Sequence, residues 1–205
     1  MREFAAKRRE DPTAQLALAM FLLKWKSHNG EGLDILRRLA DKHPDDYPLL
    51  DAYATQLRNV EGCRPESERI YKKIVAEAPD QTNTLGNYAQ LLFWEGRIDE
   101  GRVLLERALA SVRSSIAEPS ALVTELSFYQ YAHVAEARSD ALKKLKILLL
   151  LGAVSPDWNL DPNVVRATQD GHPQPKLLRL IADAIVGRLD IPTLQQNMEW
   201  KGIDA

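Results

Sequence analysis

Apolar residues recur at three- and four-residue steps through most of this chain, and short polar or glycine-containing breaks interrupt them at regular intervals. Such spacing lays one apolar stripe along a helix. Over Thr82–Glu95 the stripe is Leu85, Tyr88, Ala89 and Leu92. Gly96 ends it, because glycine takes the left-handed conformation without a Cβ clash. Asp99–Arg113 repeats the logic with Val103, Leu104, Ala108 and Leu109 inward and Glu100, Arg102, Glu106 and Arg107 outward. Asp80 is read as the N-cap of the first helix, and the second is expected to run on toward Ser115. Two helices of this length cannot bury their apolar faces alone, so they need neighbours.

The neighbours are present on both sides. Leu50, Tyr53, Ala54 and Leu57 precede Leu85, Tyr88, Ala89 and Leu92 by a constant 35 positions, as Pro44 precedes Pro79. Gly62 makes the turn, and Ser67, Tyr71 and Ile74 line the return helix. An earlier pair is predicted over Thr13–Lys26 (Leu18, Ala19, Leu22) and Leu33–Lys42 (Ile35, Leu36, Leu39, Ala40), broken at Ser27–Gly30. A later pair is predicted over Ala121–Ala137 (Leu122, Leu126, Tyr129, Val134) and Asp140–Leu151, with Tyr129 standing 41 positions after Tyr88. Met1–Glu10 reads as half a pair closing one end. Beyond a turn-rich crossing at Gly152–Asp161, Asp161-Pro162 reads as N-cap and first-turn proline of a helix reaching Gln169. Pro175–Gly187 is amphipathic, and Ile191–Trp200 is expected to be a last short helix.

This order of residues resembles the tetratricopeptide repeat, whose period is near 34 residues. Leu85, Tyr88-Ala89, Leu92, Gly101, Leu105 and Ala108 fill the family's places in sequence, Gly96 fills its turn, and Arg113 stands where the family has proline. The resemblance covers residues 13–151. It implies an all-α fold, a right-handed superhelical solenoid of antiparallel helix pairs over approximately 13–44, 45–79, 80–115 and 118–151. Residues 1–151 would then be repeats and 152–205 a helical C-terminal cap. Ala89, Gly101 and Ala108 are small because the two backbones must approach closely.

Composition narrows the classes. The 205 residues are 45% hydrophobic and 27% charged with a net charge of −2, an ordinary globular balance without the basic excess that binding to nucleic acid or an anionic membrane calls for. A lone cysteine, Cys63, excludes an intrachain disulfide and fits a reducing, cytoplasmic setting. Lys7, Arg8 and Arg9 before the apolar run Ala14–Leu23 imitate a signal peptide. However, Glu10-Asp11-Pro12 separates the two, and Lys24, Trp25 and Lys26 follow with no small-residue cleavage site. Ile147–Leu151 is far short of the roughly 20 residues that span a bilayer.

Little in the chain suggests chemistry. His28, His43, His133 and His172 are scattered without metal-ligand spacing, and no phosphate loop or nucleophile motif occurs. No cofactor and no metal is expected. His133 and Glu136, one turn apart, read as a weak polar pair, and Cys63 beside Arg64 as a partly exposed thiol. Lys143, Lys144 and Lys146 read as a solvated basic face.

In the family that the chain resembles, the first helix of each pair lines a concave groove. Carried over by position, the resemblance implies groove residues Asn83, Asn87, Gln90 and Trp94 in the third repeat and Asp51, Thr55, Arg58 and Asn59 in the second. It adds Lys24 in the first and Ser127 and Tyr131 in the fourth. Asn87 matches the asparagine that some relatives use to clamp a C-terminal carboxylate, but Ala52 and Ala17 do not, so that clamp is not expected. The function implied is a non-enzymatic adaptor or scaffold holding a peptide or protein partner in the groove. Two alternatives stay open. One is a small enzyme or enzyme subunit with a site around Trp158, Asn159, Asp161, Asp170 and His172. The other is a self-associating scaffold, a homo-oligomer, in which a neighbouring chain or the tail around Trp200 fills the groove.

Overall fold

A computed structural model describes residues 11–24, 29–115, 120–156 and 158–203. The expected end-closing segment Met1–Glu10, the Ser27-His28 turn and the connector at Glu118-Pro119 lie outside the described residues. Among the described residues the fold is all-helical, built from consecutive packed pairs of helices. The helices are α1 (Pro12–Leu23), α2 (Asn29–Lys42), α3 (Tyr47–Leu57), α4 (Arg64–Glu77), α5 (Thr82–Trp94) and α6 (Ile98–Ser115). They continue with α7 (Ala121–His133), α8 (Arg138–Leu150), α9 (Asp161–Gln169), α10 (Pro175–Ile185) and the single turns α11 (Ile191–Leu194) and α12 (Met198–Lys201). The chain forms two compact units, Met1–Thr84 and Leu85–Ala205. The division falls inside α5, so the C-terminal helices belong to the same unit as the third and fourth pairs.

One contact recurs in three successive pairs. A small residue on the second helix meets a main-chain carbonyl of the first. A Cβ on Gly32 would lie 3.1 Å from the Ala19 carbonyl oxygen, and one on Gly101 would lie 3.2 Å from that of Ala89. In the intervening pair the residue is Ser67, whose hydroxyl donates to the Ala54 carbonyl at 2.7 Å. Ala19, Ala54 and Ala89 are 35 positions apart and are each fully buried. The period seen in the sequence is therefore the period of backbone approach. The left-handed φ of +79° at Gly62 and +76° at Gly96 closes the turns of the second and third pairs.

Several boundaries differ from the sequence reading, each for a local reason. α1 starts at Pro12 because the Asp11 carboxylate accepts from Thr13 N–H (3.0 Å) and Ala14 N–H, so Asp11 is its N-cap. Asp80 lies in a turn two residues ahead of α5 and is not its N-cap. The helix expected over Ala121–Ala137 breaks at Val134, where the backbone is extended, and resumes through a single 3-10 turn at Ala135–Ala137. α6 does run to Ser115, but Val103 is 56% exposed and the inward positions are Leu104, Leu105, Ala108 and Leu109. The last helix is two separate turns, capped by Asp190 on Thr193 N–H and Asn197 on Trp200 N–H. The second unit closes around fully buried Leu177, Leu178, Ile181, Ala182 and Ile185 of α10 together with Leu160 and Leu194. Each such leucine or isoleucine contributes about 1.5–3 kcal/mol.

Candidate functional site

The groove positions divide by exposure. Lys24, Asn59 and Asn83 are exposed and Asp51 is half-buried, all within the first unit. Thr55, Arg58, Asn87, Gln90, Trp94, Ser127 and Tyr131 are buried, so these seven are not the solvated positions expected of a free groove. In the first unit Thr55 shares a 3.0 Å hydrogen bond with the Tyr71 hydroxyl. Burial pushes that phenol up to about 12, with Arg58 opposing and Asp51 adding to the shift. Asn59, at the end of α3, turns its amide back to donate to the Thr55 carbonyl at 2.9 Å.

In the second unit Gln90 and Trp94 on α5 are occupied by the chain itself. The Gln90 amide donates to the Asn159 main-chain carbonyl and to Asn163 Oδ1, both at 2.9 Å. The Trp94 indole donates to the same Oδ1 at 2.7 Å. An indole N–H is only a donor, so it fixes which end of the Asn163 amide faces α5. The other end, Nδ2, then donates to His133 Nε2 at 3.0 Å. His133 must therefore accept at Nε2 and carry its single proton on Nδ1, an atom that is buried without a hydrogen-bond partner. Its ring stacks on Phe93 with centroids 4.5 Å apart. Burial lowers its pKa to about 3, against the pull of Asp170. One carboxamide thus joins α5, α7 and α9, and the imidazole is held neutral.

A second histidine fixes the same unit further along. His172, also buried, donates from Nε2 to the Tyr131 carbonyl (3.2 Å) and accepts at Nδ1 from the Gln174 N–H (3.2 Å). Only a neutral ring can do both, and burial is the main cause that lowers its pKa. The Tyr131 hydroxyl donates to Gln174 Oε1 at 3.2 Å. Ser127 bonds within its own helix, to the Val123 carbonyl at 2.7 Å.

The residues named for an enzymatic site are each engaged by other residues of the second unit. Trp158 Nε1 donates to the Tyr129 hydroxyl at 2.8 Å, Asn159 supplies its carbonyl to Gln90, and Asp170 pairs with Arg166 at 2.8 Å. Asp161 does not cap α9, whose N-cap is Leu160. Its carboxylate pairs with Arg179 and with Arg188 at 2.7 Å. The Arg188 and Arg179 guanidinium groups hold it below the usual carboxylate range. The expected His133–Glu136 pair does not form, since Glu136 accepts from Arg102 at 2.8 Å. In the basic cluster, Lys146 donates to the Ile203 carbonyl at 2.6 Å and so anchors the C-terminal turn. Among the described residues, no group of three or more histidine, cysteine or acidic side chains is placed to hold a metal ion, and no helix is long and apolar enough to cross a membrane.

Asn163 is the residue that sequence reasoning missed. Its signal is a polar side chain on the buried stripe of α9, three residues after Leu160 and four before Ala167. A fully buried amide on such a stripe needs partners, and the unused donors of α5 supply them.

The sequence profile of the tetratricopeptide repeat matches residues 65–126, which spans the whole third pair and its junctions with α4 and α7. Tetratricopeptide-repeat sequence is thus present over residues 65–126. Interferon-induced protein with tetratricopeptide repeats 3 of Mus musculus is 32% identical to it over 104 residues, 50% of this chain and 26% of that protein. The matched part therefore covers about a quarter of that relative's length. No solved structure matches the chain. The repeats supply a scaffold of a kind that serves protein–protein interaction.

Proposed function

We propose that the protein is a non-enzymatic adaptor that holds a peptide or protein partner against the first helices of its N-terminal repeats. The observation that supports this reading is the contrast between the two units. Of the groove positions, Gln90, Trp94, Ser127 and Tyr131 of the second unit are buried, whereas Lys24, Asn59 and Asn83 of the first unit are exposed. An ammonium and two carboxamides are suited to the carbonyls, N–H groups and acidic side chains of an extended segment. The test is affinity capture from a native lysate with wild type and the Lys24→Ala/Asn59→Ala/Asn83→Ala variant, read by mass spectrometry. All three side chains are exposed, so helicity should be unchanged by circular dichroism. The reading expects a protein retained by wild type and lost with the variant. Identical lists would overturn the assignment to these positions, and no specific protein with either chain would overturn the adaptor reading.

A further inference from the structure

The C-terminal helices are tied to α7 through two histidine rings, and the hydrogen bonds of each ring require it to be neutral. His133 closes α7 and accepts at Nε2 from the Asn163 amide of α9 at 3.0 Å. His172, in the turn between α9 and α10, donates to the Tyr131 carbonyl of α7 at 3.2 Å and accepts at Nδ1 from the Gln174 N–H. The same carbonyl accepts from Arg138 Nε at 3.2 Å, so a guanidinium already stands beside the second ring. Around these rings the segment holds the repeats by further bonds, from Gln90 and Trp94 to Asn159 and Asn163 and from Trp158 to Tyr129.

A proton on His133 is not accommodated by turning the amide. The protonated ring would donate at Nε2 toward the Asn163 N–H group. Rotating that amide would present Oδ1 to the ring but would set Nδ2 against the Trp94 indole, which only donates. The charged groups facing the ring give little relief. From α9, Asp170 favours the proton and Arg166 opposes it, and those two are paired at 2.8 Å. Arg138 at the start of α8 and His172 also oppose it, while α5 contributes the uncharged Phe93 ring. Glu136, in the turn after His133, is held by Arg102. His172 is opposed in its turn by Arg138, and its ring meets the uncharged Tyr131 edge-on at 4.8 Å. Burial keeps both rings neutral when docked, His133 with its pKa lowered to about 3 from the ordinary 6.5 of a released imidazole.

We infer that His133 and His172 work as a proton-operated latch, which holds the C-terminal helices over Gln90 and Trp94 at neutral pH and shifts the chain in mild acid toward an open state in which the α5–α6 and α7–α8 pairs stay folded. The released segment is a run of short helices that follows α8 through one crossing, and such a run opens as a unit of its own. Falling pH favours release, because the open state binds the proton first. Between about pH 7.5 and about pH 5.5, His133 alone raises the ratio of open to docked chain about tenfold, and His172 adds in the same direction. Asp161, held below the usual carboxylate range by Arg188 and Arg179, keeps its charge over this interval. Apolar burial on α10 does not change with pH, so the docked chain stays the major form and the latch sets how often it opens. Each opening bares Gln90 and Trp94. This regulatory contact is separate from the exposed positions of the first unit, and either reading can fail without the other.

The test is hydrogen–deuterium exchange of the full 205-residue chain, read peptide by peptide by mass spectrometry at the same two pH values and corrected for intrinsic exchange rates. His133→Gln/His172→Gln is run beside wild type. Glutamine offers a carbonyl acceptor and an amide donor but takes no proton in this range. In wild type the opening constant for the α9 and α10 amides should rise by about tenfold or more at the lower pH, with α3 and α4 unchanged. Amides of α5 to α8 should be better protected than those of α9 and α10 at both values. The double variant should lose most of the rise. His133→Gln alone should lose part of it, and serves where the double variant does not fold. A rise kept in full by either variant would overturn the inference. So would an opening constant that does not change with pH in wild type, a rise shared equally by α3 and α4, or α9 and α10 amides that exchange only together with α5 to α8.

Discussion

Asn163 satisfies donors from two residues of α5 and addresses a third helix with its own N–H group. The consequence for His133 is a matter of hydrogen-bond direction. A protonated imidazole would place a second donor opposite the Asn163 amide N–H, so the neutral ring is the one that the folded state accepts. Unfolded, the ring titrates at its ordinary value of 6.5; folded, at about 3. A lowered folded pKa means that the unfolded chain binds the proton first. The stability from this group is therefore complete above pH 6.5 and is lost as pH falls from 6.5 toward 3, at about 1.4 kcal/mol per pH unit. His172 shifts in the same direction. Urea unfolding should show stability falling from pH 6.5 to about 5, before most carboxylates titrate. His133→Phe should flatten that slope while lowering stability throughout, because Asn163 loses its acceptor. An unchanged slope in the variant would remove His133 from the account.

Among the elements, the helix pair is where sequence and structure agree most closely. The positions that repeat every 35 residues, such as Tyr53 and Tyr88 or Ala54 and Ala89, are buried in both copies, because the stripe follows from helix geometry and burial alone. The small residues Gly32, Ser67 and Gly101 show why the period is strict. A Cβ on Gly101 would meet Phe93 at 2.7 Å and the Ala89 carbonyl oxygen at 3.2 Å, and backbone cannot move aside as a side-chain tip can. Gly101→Val should therefore destabilise the protein by about 1–3 kcal/mol in chemical denaturation. By contrast Gly30→Ala, with nothing within 4 Å of the new methyl group, should be neutral or slightly stabilising through helix propensity. A tolerated valine at 101 would mean that α5 and α6 do not approach as closely as described. The candidate site was less legible. Placing Gln90, Trp94 and Tyr131 on first helices was a matter of register, which local spacing carries. Their burial comes from α9 and the residues after it, whose partners lie about 70 positions away in sequence for Gln90 and Trp94. Spacing within one helix holds no record of such a contact. Asp161 shows the same limit from the other side: Asp-Pro suggests a cap, yet two arginines from α10 and the turn after it claim the carboxylate.

For the molecule as a whole, the proposed function has the C-terminal helices filling the repeat face at Gln90 and Trp94 of α5 and leaves partner binding to the surfaces that remain open. The linkage runs through Trp94 and Asn163, whose indole–amide bond is 2.7 Å long. A double-mutant cycle isolates it. Trp94→Phe removes the indole N–H and keeps most of the apolar ring, Asn163→Ala removes the amide, and the two are combined, each followed by urea unfolding with the helical signal. The account predicts that each single substitution destabilises and that the pair falls short of the sum by about 0.5–3 kcal/mol, the coupling expected of residues in one buried network. Strict additivity would contradict it. It would mean that α9 does not sit on α5 in solution and that Gln90 and Trp94 are available to a partner after all.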